Sequence, residues 1–391
     1  MPITAIYASR ILTPTEEVSD AVILVDGTKI TAVGHRDEIQ VPSDAIHYAA
    51  PGSTVVPGFV DVHIHGAGGH DVMEGTARSL DKVTETVARY GTTSILATTV
   101  TAPMDQTCHG LEGIARYVHK NEQQHESGKL AAEILGVHLE GPFIAKSQRG
   151  VHPVDSLVKP SVEALETLMK AADGLVRIVT TAPELPGALK MIEYAAARGI
   201  VAAMGHTNAD YDEARAGIQA GARHSVHTYN AMRPFEHRDP GILGAILTDP
   251  EITAEVIADG HHVAGPAIQI LMGTKGFETV ILISDGIAAT GMRDGTYPLG
   301  NFKVTVKDGV CRNEEGKMAG STLTLDRALR FVVALGVPFA DAVKMVTIQP
   351  ARRIGVAGKK GIIAPGCDAD LVVLTPDLRV EGVMTRGVGL V

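Results

Sequence analysis

The chain has no tryptophan, and aromatic residues make up only 4% of its 391 positions, so its 45% hydrophobic content is largely aliphatic. Cysteine is also scarce. Cys108, Cys311 and Cys367 are odd in number and far apart, with no C-x-x-C, which excludes a disulfide framework and a cysteine zinc site. A reducing cytoplasm is the compartment this implies. No apolar run reaches the roughly 18 residues of a membrane helix, and Met1 to Asp20 lack the basic and apolar regions of an export signal, so a soluble, unexported chain is expected. Positive charge is in deficit. Against 45 Asp and Glu stand 35 Lys and Arg, and a net charge of −10 argues against a nucleic-acid surface while leaving room for a local cationic pocket.

What the chain does have is length and rhythm. Its 391 residues fit one barrel-sized domain with an appendage, or two domains. From Gly58 to about Arg353, short apolar runs alternate with helical stretches, the pattern of βα units around a parallel sheet. Strands are expected at 58–64, 93–98, 134–139, 175–180, 200–204, 223–226, 253–257 and 279–284, with helices such as Ser79 to Tyr90 and Asp210 to Gly221 between them. Eight units favour an α/β fold of the closed (β/α)8 TIM-barrel type, at 58–354, over an open doubly wound sheet. The ends read differently. Residues 1–57 and 355–391 carry alternating strand patterns, including a hairpin at Asp26-Gly27, and are expected to meet in one small β-sandwich domain. A β-hairpin insertion is expected near 301–319, turning at Asp308-Gly309, and Asn121 to Lys129 reads as a polar surface connection.

Barrels place their chemistry at the carboxyl ends of their strands, so ligands are expected at the strand ends. The first ends in His63-Ile64-His65, whose alternation puts both imidazoles on one face. The third ends in His138-Leu139-Glu140, the fifth in His206, the sixth in His227 and the eighth in Asp285. Glu140, His206 and His227 form the open one-carboxylate, two-imidazole set of a catalytic zinc, and His63 with His65 adds a second pocket that Glu140 could bridge. Asp285 is then the candidate general base. Other residues keep two readings. His138 either orients Glu140 or packs in the barrel, and Arg238 either reaches a ligand or pairs with Glu236 or Asp239. His262 either binds or starts a helix, and Gly66-Ala67-Gly68-Gly69 either cradles an anion or simply turns. His109, His119 and His125 read as solvated.

The segment Pro57-Gly58-Phe59-Val60-Asp61-Val62-His63-Ile64-His65-Gly66, the later histidines, Asp285 and the closing run from Gly361 to Val372 resemble the amidohydrolase superfamily. Within it, His138 to Phe143, Met204 to Thr207, His227 to Met232, Ala258 to His262 and Ser284 to Gly291 are similar to the N-acetylglucosamine-6-phosphate deacetylase family, over about residues 3 to 376. The resemblance implies hydrolysis of an N-acetylated amino-sugar phosphate in cytoplasmic amino-sugar catabolism. It implies Glu140, His206 and His227 as ligands of the principal metal, and Asp285 as acid and base. Val151 and His152 then meet the sugar, Asn230, Ala231, Arg238 and His262 meet the phosphate, and Met318, Ala319 and Gly320 line the pocket. It further implies a homodimer whose Arg238 reaches the neighbouring active site, with no nucleic-acid or membrane partner. Some members of the family replace the first-strand pair with amides and use one metal, whereas this chain keeps both histidines. One or two divalent ions per subunit are therefore expected, zinc first, with Fe2+, Co2+, Mn2+ or Cd2+ as alternatives. Two rivals remain: a cyclic-amide hydrolase resembling dihydroorotase, although no expected strand ends in the lysine such enzymes carboxylate, and a non-catalytic barrel that only binds.

Overall fold

Eight parallel strands follow chain order around one sheet in the computed structural model, which describes residues 2–13, 16–123 and 128–390. They are β1 (Phe59–Ile64), β2 (Thr92–Thr99), β3 (Glu133–Leu139), β4 (Val176–Thr181), β5 (Val201–Met204), β6 (His224–Ser225), β7 (Thr253–Ile257) and β8 (Val280–Ile283). Every residue of β1, β2, β7 and β8 is buried, as expected where helices cover the outer face of a parallel sheet and side chains fill the interior. Each strand lies within one residue of its expected ends. The polar connection read at 121–129 includes residues 124–127, which lie outside the described residues, and His125 with them.

The barrel closes between β8 and β1 beyond the regular ladder. Asp285 N donates to His63 O at 2.9 Å, and His65 N donates to Gly286 O at 2.8 Å. The same backbone bonds that shut the barrel therefore fix three candidate site residues.

The outer helices include α1 (Ala77–Ala88), α2 (Met104–Gln123), α3 (Val162–Ala171), α4 (Ala188–Ala196) and α5 (Tyr211–Gln219). Their starts follow from side chains that satisfy free backbone N–H groups. Thr76 accepts from Ser79 N, Ser161 from Ala164 N, and Asp210 from Glu213 N, with Glu213 returning the bond. Leu80, Val83, Thr84 and Val87, spaced three and four apart, form the buried stripe of α1.

Both termini contribute to a separate seven-stranded sheet, made from Thr4–Leu12, Glu17–Asp26, Lys29–His35 and Ile46–Pro57 together with Leu371–Leu374, Val380–Thr385 and Val388–Gly389. The halves join where Ile46–Pro57 pairs antiparallel with Leu371–Leu374. Ile6, Ile23 and Ile30 from one half share a core with Leu371, Val373 and Met384 from the other. Gly58 N donates to Asp370 O at 2.8 Å, so the junction into β1 is itself hydrogen-bonded. Beneath it, buried Lys360 contacts Asp370 at 2.8 Å, Asp368 at 3.0 Å and Glu133 at 2.5 Å.

The insertion after β8 holds the hairpin expected near 301–319, Phe302–Lys307 with Val310–Arg312, and adds Gly295–Leu299 as a third antiparallel strand before it. Its extra strand, Gly-Thr-Tyr-Pro-Leu, carries glycine and proline, which mask strand character. The turn does fall at Asp308-Gly309, both in the left-handed region. The sheet packs Leu299, Val304, Val306 and Cys311 against Ile287 and Ala289, just past β8.

Candidate metal and active site

Glu140 stands at the centre of the carboxyl end of the barrel, buried, with imidazoles on both of its oxygens. Oε1 lies 2.8 Å from His227 Nε2, 3.1 Å from His206 Nε2 and 3.2 Å from His63 Nε2. Oε2 lies 3.2 Å from His65 Nε2 and 3.6 Å from His152 Nε2. The nitrogens of His206 and His227 are themselves 3.1 Å apart. Ligands at ~2.1 Å around a tetrahedral ion sit roughly 3.4 Å from one another, so this triangle opens to hold one with a shift of at most about half an ångström. Asp285 closes the other side, its Oδ1 3.2 Å from His65 Nε2 and 3.7 Å from His63 Nε2.

The donor set fits a divalent cation for two further reasons. Three of the rings have their far nitrogen anchored: His63 Nδ1 on Glu255 Oε2 at 2.8 Å, His65 Nδ1 on Thr98 O at 3.1 Å and His206 Nδ1 on Gln148 O at 2.9 Å. Each acceptor fixes the tautomer and leaves the Nε2 lone pair facing Glu140. His63 Nε2 is also a buried atom with no aligned hydrogen-bond partner among the described residues, although two carboxylate oxygens lie close to it. A lone pair aimed at carboxylates is repulsive unless a proton or a cation stands between them.

Protons fill that role without metal. Burial would raise the Glu140 carboxyl, yet the charge on His63 and hydrogen bonds from His206 and His227 hold it well below the carboxylate range. Burial opposes charge on His65, but its contacts with Asp285 and Glu140 lift it to about 10. Asp285 likewise stays below its ordinary value, because His65 and His63 outweigh its burial. His152 is different. Burial and the neighbouring His206 lower it to about 3, so it is neutral. Its Nδ1 accepts from Thr101 N at 3.2 Å and lies 2.7 Å from Thr101 Oγ1, which leaves Nε2 as the donor facing the site.

The backbone is unusual at these positions. His206, His227, Ala231 and Asp285 all have φ between 26° and 51°, a region that side-chain-bearing residues rarely occupy. Such strain persists only where surrounding structure over-determines it, and here it clusters at the strand ends.

A cavity of about 420 Å3 opens over the cluster. Its lining includes His65, Glu140, His206, His227 and Asp285, and also Val151, His152, Asn230, Ala231, His262, Met318, Ala319 and Gly320 from the expected set. His63 lies beneath the cavity, wholly buried. Arg238 is exposed on the loop after β6 and does not line this subunit's cavity. Asp239 instead pairs with Arg233 through a short contact, so one of the two surface partners considered for Arg238, Asp239, is taken by another arginine. His262 Nδ1 is 2.6 Å from Asp259 Oδ2; burial disfavours its charge, but that carboxylate wins and raises it above the ordinary imidazole value. His138 packs in the barrel, its nitrogens on Val62 O and Thr180 Oγ1, and does not orient Glu140. Gly66–Ala67 pairs with His70–Asp71 across Gly68-Gly69, so the glycine run makes a tight turn.

Further residues of the site lie outside the expected set. Lys146, Arg149 and Lys317 bring positive charge to the cavity wall from loops. Glu255 and His224, fully buried inside strands, bond each other at 2.8 Å behind His63. Their signal was present, since a glutamate within the apolar run Thr253–Ile257 needs a buried partner.

A model of the amidohydrolase family matches residues 54–389, and the chain belongs to that family. More particularly, it is 39% identical over 383 residues to the N-acetylglucosamine-6-phosphate deacetylase of Vibrio furnissii, covering 97% of this chain and 93% of that one. It is also 39% identical over 332 residues to the N-acetylgalactosamine-6-phosphate deacetylase of Escherichia coli O157:H7, covering 85% and 86%. Among solved structures, the Mycobacterium smegmatis N-acetyl-D-glucosamine-6-phosphate deacetylase, in complex with N-acetyl-D-glucosamine-6-phosphate, superposes with a TM-score of 0.91 at 36% identity over 100% of both chains.

Proposed function

We propose that this chain hydrolyses the acetamide of N-acetylglucosamine 6-phosphate to glucosamine 6-phosphate and acetate. The observation that carries this reading is the cavity itself, which joins an ionised carboxylate–imidazole cluster to the cationic side chains Lys146, Arg149, Lys317 and His262. The first group suits an amide carbonyl and water, the second a phosphate. Glu140, His206 and His227 would hold the principal divalent ion, and His63 and His65 a second, with zinc the first expectation. When bound, such an ion supplies Lewis acidity, lowering the pKa of water from about 15.7 towards about 7 and polarising a carbonyl oxygen.

The remaining work falls to side chains. Asp285, held as a carboxylate, accepts the proton of the attacking water and returns it to the sugar nitrogen as the C–N bond breaks. His152, fixed as the Nε2–H tautomer by Thr101, donates to the acetyl oxygen where negative charge develops. On the cavity wall Asn230 offers a buried amide nitrogen without a partner among the described residues, and with Ala231 and His262 it meets the phosphate. Val151, Met318, Ala319 and Gly320 shape the sugar pocket. Arg238, exposed and free of the pairing with Asp239, completes the phosphate site of a second subunit in a homodimer. Amino-sugar catabolism in the cytoplasm is the matching role; among the described residues no helix is long and apolar enough to cross a membrane.

The glucosamine epimer is put before the galactosamine one because, at equal identity, the relative named for the former matches 97% of the chain and the one named for the latter 85%. The test is acetate release by metal-replete and chelator-stripped protein from both 6-phosphates and from unphosphorylated N-acetylglucosamine. Release from the glucosamine 6-phosphate by the replete protein alone supports the reading. Equal release from the unphosphorylated sugar refutes the phosphate assignment, and none from any substrate refutes the activity.

A further inference from the structure

Behind the ligand cluster lies a carboxylate that the reaction above does not use. Glu255 sits in β7, wholly buried, and one of its carboxylate oxygens is turned towards the ligand His63. Its Oε2 takes His63 Nδ1–H at 2.8 Å and His227 N–H at 3.2 Å; its Oε1 takes His224 Nε2–H at 2.8 Å. His224 is oriented in turn by Thr253 Oγ1, 2.6 Å from its Nδ1. The chain Thr253, His224, Glu255, His63 therefore runs from the strand interior to a ring whose Nε2 faces Glu140 and Asp285.

We infer that Glu255 is a positioning residue that loads the His63 side of the metal site and so sets whether this chain holds a second divalent ion. The inference rests on the reading of the cluster as a metal site, and it deepens it. A carboxylate on the far nitrogen of an imidazole fixes the tautomer, the ring orientation and the basicity of the near nitrogen. His63 has that partner, whereas His65 and His206 have only backbone carbonyls. His227 has no partner on Nδ1 among the described residues, and its hold on Glu255 is through the backbone, at the residue whose φ is 26°. One carboxylate thus braces a ligand from each half of the site, across β1 and β6. Burying a charge at such depth is costly unless it is fully bonded, and Glu255 is bonded on both oxygens, by His63 and the His227 N–H on one and by His224 on the other.

The experiment is a metal titration of the full chain. Chelator-stripped protein is titrated with Zn2+ against a chromophoric chelator, and bound ions are counted by elemental analysis, for wild type, Glu255→Gln, His63→Asn and the double variant. Gln keeps an acceptor for His63 and the His227 N–H, and its amide NH2 donates to His224 Nε2 once that ring carries its proton on Nδ1, facing Thr253 Oγ1, so the cluster stays bonded while its charge is lost. Wild type is expected to bind two ions per subunit. Glu255→Gln should weaken the looser ion about 10–100-fold and leave the tighter one within threefold. In the His63→Asn background, which should hold one ion, adding Glu255→Gln should change nothing further, because the route through His63 is already gone. Glu255→Asp, which withdraws the charge by one methylene, is the second variant should the first fail to fold, and the same order of loss is expected. One ion in wild type, unchanged affinities in the variant, or an equal loss with and without His63 would each overturn the inference. Acetate release decides the deacetylase reading separately, since ion counts do not depend on turnover.

Discussion

Replacing Asp285 by asparagine removes one proton acceptor while leaving most of its surroundings intact. The backbone at 285 is held by Asp285 N on His63 O at 2.9 Å and Ser321 N on Asp285 O at 2.8 Å, neither of which involves the side chain. Its φ of 49° lies in a region that asparagine tolerates better than alanine, so Asp285→Asn is the cleaner substitution. The triangle of Glu140, His206 and His227 contains no atom of residue 285, and the principal ion should remain. What disappears is the carboxylate that stays ionised because His65 and His63 outweigh its burial. Positioned proton transfer contributes typically 10²–10⁴-fold, or about 2.7–5.4 kcal/mol of barrier at about 1.36 kcal/mol per tenfold. Steady-state kinetics on the 6-phosphate should show kcat lowered by that factor with KM changed far less. The acid limb of the wild-type pH profile should vanish too, since the folded carboxyl is depressed and its base form is lost only as pH falls through that value. A variant within tenfold of wild-type kcat, or one that has lost the principal ion, would refute the assignment of the base.

Three further outcomes follow from other contacts. His262 has a raised folded pKa, so its cation is present at low pH and lost as pH rises through that value; KM for the phosphorylated sugar should rise over that range, and Asp259→Asn should move the rise down towards the ordinary 6.5. A KM profile unmoved by Asp259→Asn would remove His262 from the phosphate site. Arg238→Ala should raise KM for the phosphorylated sugar about tenfold or more by loss of a charge-assisted bond, with metal content unaltered, and an unchanged KM would return Arg238 to the open surface. Lys360→Met leaves the buried Asp370 carboxylate without its cation, which should cost about 3–5 kcal/mol by denaturant unfolding; a loss below about 1 kcal/mol would contradict the pairing.

The barrel was legible because parallel strands buried on both faces read as apolar runs, and their punctuation by helical stretches left little freedom in the ends of β1 to β8. The ligands were legible for a related reason. A histidine or carboxylate at the carboxyl end of such a run faces the same space as its counterparts on other strands, whatever their separation in sequence, and Glu140 indeed meets His63, His206 and His227. Glu255 escaped because it lies within its strand, where a search of strand ends does not look, and its partner His63 is 192 residues away. Lys146, Arg149 and Lys317 escaped because loop conformation, which has no periodicity, decides whether a lysine faces a cavity or the solvent. The first strand of the insertion was hidden by Pro298, tolerated because Gly295–Leu299 is an edge strand of its small sheet.

The central claim is that this site splits an amide by adding water to an amino-sugar phosphate. The most direct measurement is turnover of N-acetylglucosamine 6-phosphate by metal-replete protein in 18O-enriched water, following acetate by mass spectrometry and the free amine by derivatisation. One labelled oxygen per acetate, with one amine formed for each and no product from chelator-stripped protein, is the result expected. Unlabelled acetate, or no acetate from replete and folded protein, would contradict it.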